Sequence, residues 1–225
     1  MIIKAVDAVK TYPRKNGEAN FFYAVQKTSL TIEKGEFTAI LGRSGSGKST
    51  LLNMLCGLLS PTEGQILYDD TDLYKMNDAE LSLFRNKHIG VIPQVQSVLP
   101  NLTVYENITL PCFIDNNKAD CYNYAEELLK LMDITHLKDV YASDLSGGEM
   151  RRTAIARALI QKPDVIFADE PTADLDDENT VNILKLFKNI SESGTAVFIV
   201  THESDTIKYA DRVYRMDNGI IKSKS

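Results

Sequence analysis

The sequence predicts an α/β fold built on a mostly parallel sheet. Apolar runs of strand length alternate with helix-like runs, and a glycine-rich loop joins one such strand to one such helix. No internal repeat or low-complexity tract breaks the alternation. The 225 residues, 44% hydrophobic and 25% charged, suffice for one large domain with a buried core.

Each element has its own signal. FTAIL at 37–41 reads as a short buried strand, and STLLNMLCGLL at 49–59 as the helix after the loop. IGVI at 89–92, VIFA at 165–168 and AVFIV at 196–200 read as further core strands. Ala125, Leu128, Leu129 and Met132 recur at helical spacing within 122–133. VYRM and IIKS flank Asp217-Asn218-Gly219, a hairpin turn in which Asn-Gly supplies positive φ. The stretch 95–157 carries no core strand and reads as a helical insertion.

Composition narrows the function classes. A net charge of −6 provides no basic field for nucleic acid or an anionic bilayer, so no nucleic-acid partner is expected. Three cysteines without CxxC or Cys/His spacing suit a reducing cytosol better than a disulfide framework. The first ten residues lack the apolar run of a signal peptide. The longest apolar runs fall far short of the roughly 18–20 residues that span a bilayer. A membrane role therefore requires a partner.

Gly42-Arg-Ser-Gly-Ser-Gly-Lys48-Ser49 fits the phosphate-binding spacing G-x-x-x-x-G-K-[ST]. Backbone N–H groups of Ser44, Gly45, Ser46, Gly47, Ser49 and Thr50 can converge on phosphate oxygens beside a helix N-terminus. Lys48 can reach the β- and γ-phosphates, and the Ser49 hydroxyl can ligate Mg²⁺. The strand 165–168 ends in Asp169 and Glu170. Asp169 is expected to hold the metal, and Glu170 to polarise the attacking water as general base. Leu145-Ser146-Gly147-Gly148-Glu149 opens a helix: Ser146 and Glu149 form a capping box, and the two glycines make its first turn a second anion site. The simplest use of that second site is to close over a nucleotide held by another copy of the protein.

The order of the phosphate loop, Gln94 after IGVIP, LSGGE, Asp169-Glu170, Asp176 in ADLD and His202 in FIVTH resembles the nucleotide-binding domain of ABC transporters over essentially the whole chain. That resemblance implies a P-loop NTPase with a RecA-like core, an antiparallel β subdomain and an inserted helical subdomain. The core and β subdomain would span about 1–94 and 158–225, and the helical subdomain about 95–157. Gln94 resembles the glutamine that touches Mg²⁺ or water and links core to helical subdomain. Ser146 and Gly148, with Gly147 and Glu149, resemble the signature that grips the γ-phosphate of ATP on the opposite subunit. Asp176 resembles the aspartate that crosses the dimer interface, and His202 the histidine that contacts the γ-phosphate and orients Glu170. Tyr12 resembles the aromatic that stacks on adenine, with Val25 in the same pocket.

The segments YPRKNGEANFFYAV and AELSLFRNKHIGVIPQ resemble, more narrowly, the lipoprotein-release and macrolide-export ATPases that work with FtsX-like permeases. Two departures from the family pattern are Glu149, where glutamine is commoner, and Asp174, where a small residue is usual. The implied protein is an ATP-hydrolysing, Mg²⁺-dependent homodimer, cytoplasmic and peripheral on the inner face of the membrane, driving a permease on a separate chain. An importer ATPase and a soluble, non-transport ABC ATPase are the alternatives.

Overall fold

The computed structural model describes residues 1–14, 21–95, 97–114, 118–173 and 175–223, with the backbone alone at 118–120 and 223. Asp174 and residues 15–20 of the segment after Tyr12 lie outside the described residues. In chain order the elements are β1 (Ile3–Pro13), β2 (Phe21–Ile32), β3 (Phe37–Leu41), α1 (Lys48–Leu55), β4 (Glu63–Tyr68), β5 (Thr71–Asp72), α2 (Asp78–His88) and β6 (Ile89–Ile92). There follow α3 (Val104–Thr109), α4 (Lys118–Leu131), α5 (Gly147–Leu159), β7 (Val165–Asp169), α6 (Asp177–Glu192), β8 (Ala196–Thr201), β9 (Arg212–Asp217) and β10 (Ile220–Ser223). Short 3-10 turns lie between some of them.

Six strands form the main sheet in the order β10-β9-β3-β8-β7-β6, and all its pairings are parallel except β9 with β10. Strands β3, β7 and β8 are buried at every residue, as continuous apolar runs must be when both sheet faces are covered. Alternate residues take opposite faces. Phe167, Phe198 and Val200 pack with Leu51, Leu52 and Leu55 of α1 and with the second, antiparallel sheet β2-β1-β4-β5. Ile166, Val197 and Ile199 pack with Leu184 and Phe187 of α6 and with the helices between β6 and β7. In α4, Ala125, Leu128 and Leu129 are fully buried, as their spacing predicts.

Two expectations need correction. The helix expected over 49–59 stops at Leu55. Gly57 turns left-handed at φ 75°, the Cys56 N–H donates to Leu52 O and the Gly57 N–H to Met54 O, so apolar residues continue past a helix that has already ended. The cysteines are not all free: Cys112 and Cys121 form a disulfide, with Cα atoms 6.2 Å apart, and only Cys56 remains a thiol. The 3-10 turn after α3, which carries Cys112, packs against α4, which carries Cys121, and this brings the two within normal disulfide reach. Burial pushes the Cys56 thiol up to about 12, so it is an inert core group. The sequence reading did not identify α2 or α6; both have good N-caps, Asn77 with Glu80 for α2 and Asp176 for α6. The hairpin forms as expected, with positive φ at Asn218 and Gly219.

Register matters most for the site. Leu41 pairs with Thr201, Val200 with Asp169, and Ala168 with Ile92. The carboxyl ends of β3, β8, β7 and β6 therefore lie in one row, about 14 Å across at the usual strand spacing.

Phe198, fully buried on β8 and 5.5 Å edge-to-face from Phe167, anchors this register. Phe198→Ala should lower unfolding free energy by about 3–5 kcal/mol, through lost burial and an uncollapsed cavity. Urea titration followed by circular dichroism measures it.

Candidate functional site

Reading along the row of strand ends gives the phosphate loop after β3, His202 after β8, Asp169 and Glu170 at β7, and Gln94 after β6. Ligand chemistry in open α/β sheets gathers at such carboxyl ends. An open cleft of about 610 Å³, lined by Arg43 to Thr50 with Gln94, Glu170 and His202, occupies this edge. Ser44, Gly45 and Ser49 are exposed to it. The loop passes under β2, where a register shift opposite Lys10 and Thr11 leaves Ala24 as an extra residue. Gly47 has φ 104°, and a Cβ there would sit 2.1 Å from the Ala24 carbonyl oxygen, so only glycine allows the loop this course. Gly42 opens the loop where its N–H donates to Thr201 O at 3.2 Å.

The Lys48 ammonium donates to the carbonyls of Gly42 (2.8 Å) and Arg43 (3.2 Å) and lies 3.7 Å from Glu170 Oε1. Both side chains are nearly buried, 7% and 8% exposed, so this ion pair is little screened by solvent. Glu170 Oε2 accepts from the Thr201 hydroxyl (2.9 Å) and the His202 backbone N–H (3.2 Å), and His202 Nδ1 lies 3.0 Å away. Thr201, unremarked in the sequence reading, is thus one of the groups that aim Glu170; its signal was its place directly before His202.

Asp169 sits beside Ser49. Burial raises its carboxyl above the ordinary aspartate value and the Glu170 charge adds to this, while a hydrogen bond from Ser49 and the charges of Lys48 and Arg151 oppose. Asp169 Oδ1 is buried without a protein partner. An orphaned carboxylate oxygen next to a hydroxyl suits a hard, oxygen-preferring cation. Among the described residues no group of three His, Cys, Asp or Glu could form a protein cage for a metal. This fits a Mg²⁺ that takes its remaining ligands from phosphate and water.

Gln94 lines two depressions. One is the phosphate-loop cleft; the other lies between Pro93–Val95, the α5 residues Gly147, Met150, Arg151 and Ala154, and Ala173 with Leu175. The structure does not bring Ser146, Gly147, Gly148 or Glu149 to the phosphate-loop cleft. Ser146 caps α5: the Glu149 N–H donates to its hydroxyl oxygen (3.4 Å), and Glu149 Oε2 accepts from both the Ser146 N–H and the Ser146 hydroxyl (2.7 Å each). Asp176 is likewise an N-cap, accepting from the Asn179 N–H (2.8 Å), which holds its carboxyl below the ordinary range. Tyr12 lies half-exposed on β1, stacked at 5.7 Å on Phe22, a neighbour the sequence reading did not single out. Val25 is fully buried in the core between β2 and α1 and has no surface open to a ligand.

Comparison with known proteins places this geometry. The ABC transporter family model matches residues 25–173. The chain is 37% identical over 225 residues to the lipoprotein-releasing system ATP-binding protein LolD of Saccharophagus degradans, covering 99% of this chain and 97% of that protein. It is 37% identical over 210 residues to the ABC transporter ATP-binding protein YtrE of Bacillus subtilis, covering 92% and 91%. The macrolide export ATP-binding/permease protein MacB of Chlorobaculum tepidum is 38% identical over 220 residues, covering 98% of this chain, which spans 33% of MacB's length. The dimeric post-hydrolysis structure of the ATP-binding cassette MJ0796, bound to ADP and Pi, superposes with a TM-score of 0.89 at 35% identity, covering 98% of each chain. The chain belongs to the ABC transporter family and is an ATPase of it. Among the described residues no helix is long and apolar enough to cross a membrane.

The α5 cap has a measurable pH dependence. The Ser146 hydroxyl, and after it the Ser146 N–H, hold the Glu149 carboxyl below the ordinary glutamate value of 4.5. The stabilisation is therefore whole above that pH and lost as pH falls through the lower, folded-state value. Glu149→Gln keeps a capping side chain but not its charge at the helix N-terminus. The stability difference between parent and variant should be largest near neutrality and shrink as pH falls below 4.5. Thermal melts across that range report it.

Proposed function

We propose that two copies of this chain close head-to-tail around two MgATP, each nucleotide held by the phosphate loop of one copy and by Ser146 and Gly148 of the other. One observation carries this reading. A Cβ on Gly147 or Gly148 would meet no atom within 4 Å, and neither residue has positive φ. Nothing among the described residues requires glycine there, in contrast to Gly47, so we read the bare helix start as serving something that approaches from outside. The dimeric ADP- and Pi-bound form of the MJ0796 cassette supports the same arrangement.

In this reading the loop amides and Lys48 bind the β- and γ-phosphates, and Tyr12 stacks on adenine. Ser49, Asp169 and Gln94 hold Mg²⁺, which offsets phosphate charge when bound. Glu170, aimed by Thr201 and His202, accepts the proton of the attacking water, and His202 contacts the γ-phosphate. Asp176 faces the second copy. Residues of about 1–94 and 158–225 form the core and β subdomain, and about 95–157 the helical subdomain. Gln94, lining both depressions, joins the two. The motor drives an FtsX-like permease on a separate chain at the cytoplasmic face of the membrane, a reading supported by the likeness to LolD and to MacB, whose name includes a permease.

Glu170→Gln tests the closure. The amide cannot take the water's proton, so hydrolysis should stop while ATP still binds. With MgATP on a sizing column, the variant should elute at twice the chain mass. Adding Gly148→Val, at a position where a Cβ meets no described atom of its own chain within 4 Å, should leave the chain folded and abolish the dimer. A Glu170→Gln chain that stays monomeric at high protein and ATP concentration would refute the composite site.

Tyr12→Ala should weaken ATP binding by about 1–2 kcal/mol, the order of one aromatic–base stack, whereas Tyr12→Phe should be near neutral. Titration with a fluorescent ATP analogue separates them. Equal affinities for parent, Ala and Phe would remove Tyr12 from the adenine site.

A further inference from the structure

Glu170 has an unusual backbone. Its φ is 46°, in the left-handed region that a side chain disfavours. Such a residue holds its conformation only when neighbours fix it from several sides. From the β8 side, Glu170 N–H donates to Val200 O (2.9 Å), and Thr201 and His202 donate to its carboxylate. On its carbonyl side, the Ala173 N–H donates at 3.2 Å, and Arg151 of α5 donates through Nη2 at 3.3 Å. The other terminal nitrogen of the same guanidinium, Nη1, donates to the Pro93 carbonyl at 3.0 Å. Pro93 directly precedes Gln94.

We infer that Arg151 is a positioning residue for hydrolysis: its half-buried guanidinium holds the Glu170 carbonyl in fixed relation to the Pro93 carbonyl and thereby sets where the Glu170 carboxylate points. The inference rests on the reading of Glu170 as the group that takes the water's proton. A planar fork suits two carbonyls just past the ends of the adjacent strands β7 and β6, which a lysine's single ammonium serves less well. The tether also has a direction. Arg151 lies five residues, about 7.5 Å, along α5 from Ser146. Movement of the α5 start, where a second copy's nucleotide would dock, is carried by a rigid helix to the Glu170 backbone. A displacement of about 1 Å at a catalytic group lowers turnover by about a hundredfold.

The test uses the full chain as Arg151→Ala, Arg151→Lys and Glu170→Gln, with steady-state ATP hydrolysis and equilibrium binding of a fluorescent ATP analogue. Arg151→Ala should lower kcat by about 10- to 100-fold with KM and Kd within about twofold of the parent, since no phosphate contact is lost. Arg151→Lys, able to reach one carbonyl, should recover part of kcat and is the variant to read if the alanine chain does not fold. A merely structural arginine would lower kcat and affinity together, and that result overturns the inference. If Glu170→Gln abolishes turnover while both Arg151 variants keep kcat within twofold, the inference fails and the reading of Glu170 stands. If Glu170→Gln still turns over, the reading of Glu170 fails and the inference goes with it.

Discussion

Parallel hydrogen bonding between β3, β8, β7 and β6 holds four strand ends on one line, and the chemistry of the chain hangs from that line. Each strand delivers one group: the phosphate loop, His202, the Asp169-Glu170 pair and Gln94. A slip of one residue between β7 and β8 would carry Glu170 about 3.3 Å from its donors on Thr201 and His202 and turn every side chain of the strand to the wrong face. Core packing is therefore the condition for the site. Phe167 and Phe198 on one face, with Ile166 and Ile199 on the other, make any other register expensive.

That alignment concentrates charge where solvent is scarce. Lys48, Asp169 and Glu170 are all less than a tenth exposed. Burying ions is costly unless hydrogen bonds and opposite charges complete their shells. Lys48 has two carbonyls and a carboxylate, and Glu170 has Thr201 and His202. Asp169 is the exception, with one oxygen left over. The incomplete shell and the left-handed φ of Glu170 both fall at this strand end.

Local signals made part of this legible in advance. The phosphate loop, the carboxylates after β7 and the capping box of α5 are contiguous, and contiguous motifs keep their meaning without knowledge of the fold. The strands were legible because fully buried parallel strands are uniformly apolar. Extent was harder to read: apolar residues run to Leu59, yet Gly57 had already turned the chain. Pairings across space left no trace in sequence. Cys112 and Cys121 meet because two helical segments pack on each other. Arg151 reads as one more cation on an amphipathic helix until Pro93 and Glu170 appear at its tips. Val25 was grouped with Tyr12 by position, but the strand turns its side chain into the core.

The α5 cap also sets a condition on any anion that docks there. A serine hydroxyl has one proton to give, and in this structure Ser146 gives it to the Glu149 carboxylate. A phosphate oxygen that would accept the same proton must displace a carboxylate three residues away and then sit near its negative charge. Glutamine at that position could instead turn its amide donors outward. With glutamate, any anion that binds at this helix start must first take over the hydrogen bond that Ser146 gives to Glu149.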